Sequence, residues 1–160
     1  MDNLREMILK LRIGLTVIAG LALMLSLESC EKEGSNESKT STYGSTESHN
    51  TGQNCMNCHQ EGEGGEGWFT VAGTVYDSTK TNPFKNATIT LVANRNGTAF
   101  QYTIEGDANG NFYTTDPIDF SEGLFTSVQG AGIVHEMSSK IFNGQCNSCH
   151  GSSTDRIWTE

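Results

Sequence analysis

Apolar residues in the middle of the chain recur in short runs that alternate with turn-forming residues. The runs are rich in β-branched and aromatic side chains, and they cover residues 68–76, 88–93, 98–104, 111–115 and 124–129. The intervening clusters are rich in Asn, Asp, Gly and Pro, and they include residues 81–83, 94–97 and 107–110. Runs of this length bounded by such residues predict β-strands joined by tight turns.

Strict alternation of apolar and polar positions indicates how one strand faces the core. Ala87, Ile89 and Leu91 are predicted to face one side, and the intervening Thr88 and Thr90 the other. The pattern therefore predicts a mainly β fold: a small antiparallel β-sandwich over residues 68–130. Loop-rich segments flank it at residues 49–67 and 131–160, and the first ends in an acidic, glycine-rich hinge at 61–67.

The N-terminus carries an uncharged apolar run at residues 13–27, followed by Glu28, Ser29 and Cys30. The run is short for a membrane span, which needs about 20 residues. Its length and flanks predict a secretory signal over residues 1–29, with a short retained anchor helix as the alternative. With a cysteine directly after Ser29, the segment resembles a bacterial lipoprotein signal, which implies that Cys30 carries the lipid.

The residues after Cys30 are almost entirely polar. Tyr43 is the one large apolar side chain in residues 31–48, so the sequence predicts a flexible tether over residues 30–48. We expect the protein to be exported and lipid-anchored to the bacterial envelope. Glu31 and Glu33 resemble signals that carry some lipoproteins to the cell surface, so both a periplasmic and a cell-surface location stay open.

Charge and composition exclude some classes of protein. The chain has a net charge of −9, and the part from Cys30 onward holds 16 acidic and 7 basic residues. Nucleic-acid binding needs clustered Lys and Arg to neutralise phosphates, and the sequence contains no such cluster. The low apolar content predicts a small core that is also held by disulfides, a metal or a covalent cofactor.

Four of the five cysteines fall in two copies of one pattern, Cys-X-X-Cys-His. Two thiols at this spacing reach the two vinyl groups of one porphyrin, and the adjacent imidazole then binds the iron. The sequence therefore predicts two covalently bound c-type haems. The predicted thioether residues are Cys55, Cys58, Cys146 and Cys149, and the predicted proximal iron ligands are His59 and His150.

Three other uses of the cysteines explain the pattern less well. Local disulfides suit an exported protein, but they give no reason for a histidine after each second cysteine. A zinc site would join pairs separated by 87 residues, whereas compact zinc ribbons have about 15–20 residues between pairs. A thioredoxin-like redox site would need a βαβ context, which the sequence lacks.

The remaining histidines, His49 and His135, provide one spare imidazole for each iron. Both are candidate distal ligands. Met137 competes with His135, because a thioether is the other common sixth ligand. Two histidines on one iron would give a low reduction potential, and a methionine would raise it. The sequence leaves open which histidine serves which haem.

The sandwich region resembles a known module. The order GTVYD, NATITLV and GDANGNFYT is similar to the carboxypeptidase-regulatory-like (transthyretin-like) β-sandwich over residues 69–129. That resemblance implies a spacer or binding module. The whole arrangement resembles a family of small exported dihaem cytochromes in which haem-binding segments flank a β-sandwich.

These features predict a dihaem c-type cytochrome that transfers electrons in the envelope or at the cell surface, and not an enzyme. Expected partners are redox proteins with basic patches, the membrane through Cys30, and, as a further option, other copies of the chain. One alternative is a ligand-binding or sensor sandwich with auxiliary haems. Another is a haem peroxidase or reductase, against which the spare histidine for each iron argues.

Overall fold

The computed structural model describes residues 36–95 and 101–160. The predicted signal, Cys30, the first residues of the tether and residues 98–100 of the third predicted strand lie outside the described residues. The strands are β1 (Val71–Tyr76), β2 (Thr88–Val92), β3 (Gln101–Glu105), β4 (Asn111–Thr114), β5 (Phe125–Gln129), β6 (Val134–Glu136), β7 (Gly144–Gln145) and β8 (Ile157–Trp158). A 3-10 turn (Cys55–Asn57) and a one-turn helix, α1 (Cys146–Cys149), complete the described elements. Among these residues no helix is long and apolar enough to cross a membrane.

The strands form two four-stranded sheets. In the first sheet β1 pairs antiparallel with β4 and parallel with both β7 and β8. The second sheet has the antiparallel order β3-β2-β5-β6. The mainly β class and the five predicted strands are confirmed, and the two sheets fit a small β-sandwich.

The core consists of apolar side chains from the strands of both sheets. Its fully buried members are Val71, Val75, Ala87, Ile89, Leu91, Ile104, Phe112, Leu124 and Val128. Ala87, Ile89 and Leu91 are all at most 2% exposed, while their threonine neighbours are half-buried, so the predicted alternation is confirmed. All six residues of β1 are buried, which makes β1 the central strand of the molecule.

Strands β6, β7 and β8 were not predicted from the sequence. They contain only three, two and two residues, which is too short for a run of alternating polarity to be visible. They form because β5 and β1 offer free edges for backbone pairing. Local pattern cannot report such long-range pairing.

Part of the predicted tether lies against the sandwich. The amide of Ser41 donates to the carbonyl oxygen of Tyr113 at 2.9 Å, and the amide of Thr115 donates to that of Lys39 at 2.9 Å. Ser41 is 1% exposed. The prediction of a flexible tether is therefore wrong for this part of the segment, because backbone hydrogen bonds to the edge of β4 hold it in place. A polar composition indicates only that the segment buries few apolar side chains.

Gly144 lies where a side chain has no space. An added Cβ atom would stand 2.1 Å from the carbonyl oxygen of Thr70. We expect Gly144→Ala to lower the free energy of unfolding by about 1–3 kcal/mol, because backbone must move to admit the methyl group. Gly132→Ala is the matched control, since nothing lies within 4 Å of its added Cβ. Urea denaturation compares the two, and equal midpoints would contradict the expectation.

Candidate functional site

The first Cys-X-X-Cys-His motif begins in the 3-10 turn and is closed by the loop after it. The amide of His59 donates to the carbonyl oxygen of Cys55 at 3.0 Å. The loop then folds back, so that the amide of Gly65 donates to the carbonyl oxygen of Cys58 at 2.9 Å. A Cβ atom on Gly65 would stand 2.6 Å from that oxygen. The glycine-rich hinge therefore permits a close approach to the motif.

The second motif is held on strand β1 from both sides. Strand β7 pairs with the start of β1, and β8 pairs with its end. Helix α1 lies between β7 and β8 in the chain, so the motif is fixed over the middle of β1. There the strand carries Gly73, on which an added Cβ would be 2.5 Å from the Phe112 ring and 2.9 Å from the Cβ of Cys146. A glycine at this position thus makes space for the Phe112 ring and for the first cysteine of the motif.

The two motif histidines are oriented in the same way. Nδ1 of His59 lies 2.9 Å from the carbonyl oxygen of Glu66, and Nδ1 of His150 lies 2.7 Å from that of Asp155. A carbonyl oxygen can only accept, so Nδ1 carries the proton in both rings. Nε2 is then left with a lone pair. Metal-binding histidines are typically held by such a bond from the other ring nitrogen.

A cavity of about 170 Å³ lies beside the first motif. His49 and His59 both line it, and their ring centroids are 5.8 Å apart. Phe69 stacks on the His59 ring at 4.3 Å and an interplanar angle of 11°. Tyr113 stacks in turn on Phe69 at 4.8 Å. The stacked aromatic rings limit the positions open to the His59 ring at the side of the cavity.

A larger cavity, about 480 Å³, lies beside the second motif. Cys146, Cys149, His150, His135 and Met137 all line it. Its volume falls in the range of about 300–1,000 Å³ that is usual for sites of small ligands and cofactors.

His135 has an unsatisfied nitrogen in this region. Its Nε2 is buried and has no hydrogen-bond partner among the described residues. The ring packs against Trp158 with centroids 4.1 Å apart. A buried polar atom is normally paired, so this nitrogen is suited to an additional ligand such as a metal. The donor set of the larger cavity, with the thiols of Cys146 and Cys149 and the imidazoles of His150 and His135, therefore fits the residues that would hold a haem.

The structure divides the candidate distal ligands between the two motifs. His49 accompanies the first motif, whereas both His135 and Met137 accompany the second. Met56, inside the first motif, is 6% exposed and lines neither cavity. Each predicted proximal histidine thus shares a cavity with at least one predicted distal ligand, a pairing that the sequence left open.

The four motif cysteines are free thiols with different environments. Cys58 and Cys149 are exposed, whereas Cys55 and Cys146 are partly buried. In residues 36–95 and 101–160 no group of three or more His, Cys, Asp or Glu side chains converges on one metal ion. The ligand-type groups are instead spread around each cavity.

Burial separates the reactivities of the thiols. Burial raises the pKa of Cys146 to about 12 from an ordinary 9.0. A backbone hydrogen bond lowers this pKa in part, and the charges of Cys55 and Cys149 raise it further. At pH 8 the thiolate fraction of Cys146 is then about a thousandfold lower than that of a thiol with the ordinary pKa. A thiolate of higher pKa is intrinsically more nucleophilic, which offsets the lower fraction only in part. We expect iodoacetamide to alkylate Cys146 at least about tenfold more slowly than Cys149 in polypeptide made without haem maturation. Peptide mass mapping over time measures this, and equal rates would contradict it.

Residues outside the predicted set join the two motif segments. The buried Thr74 hydroxyl accepts from the Gly52 amide at 2.9 Å and from Asn147 Nδ2 at 3.0 Å. It donates to Asn111 Oδ1 at 2.7 Å. Asn147 Nδ2 also donates to the carbonyl oxygen of Gln53 at 2.9 Å. Sequence reasoning missed these residues because Asn147 occupies a variable position of the motif and Thr74 looks like any strand threonine.

Comparison with protein-family models, with characterised proteins and with solved structures found no match.

Proposed function

We propose that the chain is a dihaem c-type cytochrome that carries electrons. One haem would be attached through Cys55 and Cys58, the other through Cys146 and Cys149. The observation that carries the proposal is the shared orientation of His59 and His150. Each donates Nδ1–H to a backbone carbonyl, and each shares its cavity with a second imidazole.

The residues of this chain would hold and orient the cofactor. The cysteine pairs anchor it covalently, and the carbonyl oxygens of Glu66 and Asp155 keep each ring in the tautomer that presents Nε2. A bound haem supplies one-electron exchange between ferrous and ferric iron. The first cavity is smaller than a usual cofactor site, so a haem there would keep part of its surface in solvent, where a redox partner reaches it.

The distal histidines favour electron transfer over catalysis. An iron with two protein ligands has no open position for a substrate, and the structure brings His49 and His135 to the two cavities. The orphaned Nε2 of His135 supports its use as a ligand to the second haem. An enzyme would instead leave one iron five-coordinate.

Charge supports basic redox partners. The exposed Glu61 and Glu63 lie in the loop that closes the first motif. The chain as a whole carries a net charge of −9. Such a surface attracts partners with basic patches and makes their association weaker at high salt. Export and a lipid on Cys30 would confine these encounters to the cell envelope, either in the periplasm or at the cell surface.

Expression without the signal, in a bacterial host with haem-maturation machinery, tests the proposal. We expect intact mass to show two added haems, and reduced and oxidised spectra to be low-spin and unchanged by carbon monoxide. The double variants Cys55→Ser/Cys58→Ser and Cys146→Ser/Cys149→Ser should each lose one haem. A protein without haem would overturn the proposal, and carbon monoxide binding by the wild type would favour a reductase or peroxidase.

A further inference from the structure

We propose that Asn147 clamps the two haem-attachment segments together, so that the two haems form one electronically coupled pair. This inference rests on the proposed function. It goes beyond the presence of two haems, because two attachment sites on one sandwich need not lie near each other. The clamp consists of Asn147 with its partners Thr74 and the Gln53 carbonyl.

The clamp is buried and fully bonded. Asn147 is 8% exposed. Its Oδ1 accepts from the Thr74 amide at 3.1 Å, and its Nδ2 donates to both the Thr74 hydroxyl and the Gln53 carbonyl oxygen. Both N–H bonds of the amide are thus used, and a flipped amide would put a donor against the Thr74 N–H and an acceptor against the Gln53 oxygen. The side chain is held in one orientation.

The contact lies directly at the attachment points. Asn147 follows Cys146 in the second motif, and Gln53 is two residues before Cys55 in the first. Asn54 and Gln145 add a longer contact, with 3.5 Å between Nδ2 and Oε1. The residues beside the first cysteine of each motif are therefore in hydrogen-bond contact.

Strand β1 keeps this contact rigid. Thr74 belongs to β1, whose residues are all buried, and it binds Gly52 of the first segment and Asn147 of the second. Neither segment can shift along the strand without breaking buried hydrogen bonds. Haems attached to these segments would keep a fixed mutual orientation, which is the condition for a reproducible coupling of their Soret transitions.

Circular dichroism of the matured protein in the Soret region tests the inference. Intact mass first establishes two haems, so a haem-free product is a failure of the proposed function and is recognised as such. We expect the wild-type spectrum to contain a bisignate couplet that the summed spectra of the two single-haem variants lack. A wild-type spectrum equal to that sum, in protein with two haems, would overturn the coupling and leave the proposed function intact.

Variants inside the second motif test the clamp. Asn147→Ala keeps the Cys-X-X-Cys-His pattern but removes the bonds to Gln53 and Thr74. We expect two haems and a couplet reduced to about half or less, because the segments lose their buried polar link. Ser148→Ala is the matched control, since within residues 36–95 and 101–160 its hydroxyl bonds to Gln145 and Cys149 of its own segment and to no other group. Full coupling in Asn147→Ala would refute the clamp.

A second variant covers the case in which Asn147→Ala does not fold. Asn147→Asp keeps the shape of the side chain and the acceptor for the Thr74 amide, but it has no donor for the Gln53 carbonyl oxygen. We expect its couplet to weaken as well. A couplet of wild-type size in Asn147→Asp would equally refute the clamp.

Discussion

We expect Thr74→Val to lower the free energy of unfolding by about 2–5 kcal/mol, although valine has nearly the same shape as threonine. The hydroxyl of Thr74 joins both Cys-X-X-Cys-His segments to β4 through Gly52, Asn147 and Asn111. Thr74 and Asn111 are at most 2% exposed, and Asn147 is 8% exposed. Removal of the hydroxyl takes one hydrogen-bond partner from the Asn111 side chain, the Asn147 side chain and the Gly52 amide. Each buried group left unsatisfied costs about 1–3 kcal/mol.

Urea denaturation followed by tryptophan fluorescence measures this loss. Thr103→Val is the matched control, because Thr103 is an exposed strand residue whose hydroxyl accepts a single 3.3 Å bond, from the Gln101 side chain, in the part of the chain that the structure describes. Its effect should stay within about 0.5 kcal/mol. If the two valine variants unfold at the same urea concentration, Thr74 does not organise the two segments.

The second large effect concerns the proposed iron ligand in the larger cavity. In matured protein, we expect His135→Ala to convert one of the two haems from low-spin to high-spin and to let it bind carbon monoxide. The reason is that His135 lines the same cavity as His150, and its buried Nε2 has no hydrogen-bond partner among the described residues. Optical and electron paramagnetic resonance spectra measure the spin state, and mass spectrometry checks that both haems are retained.

Two variants serve as controls for the ligand assignment. Met137→Leu removes the competing thioether of the same cavity, and we expect it to leave both haems low-spin. His49→Ala should affect the other haem, because His49 lines the cavity of the first motif. A spin change in Met137→Leu and none in His135→Ala would make methionine the ligand, which would also imply a higher reduction potential.

The strands that the sequence predicted are those with enough alternating residues to show a period. Strand β2 is the clearest case, since Ala87, Ile89 and Leu91 are buried as the pattern requires. Strands β6, β7 and β8 have no comparable local signal, and these are the elements that build the larger cavity. They carry His135, lead into Cys146 and contribute Trp158.

The residues of the candidate site were visible in the sequence, but their pairing was not. The spacing of two cysteines and a histidine is a local property, so the six motif residues of the predicted haem sites could be named from sequence alone. The partner of each motif histidine is a long-range property. His135 precedes Cys146 by only eleven residues, yet its assignment to that motif follows from the pairing of β6 with β5.

Sequence alone determined the mainly β class, the five longer strands and the residues that carry the predicted haem chemistry, since periodicity and motif spacing are encoded over a few residues. Tertiary structure decided that the two motifs, separated by 86 residues, lie against the same strand. It also decided that Gly73 makes space for Cys146 and that Thr74 and Asn147 hold the segments together. These contacts depend on which backbone edges and buried polar groups meet after folding, and no local pattern of residues records that.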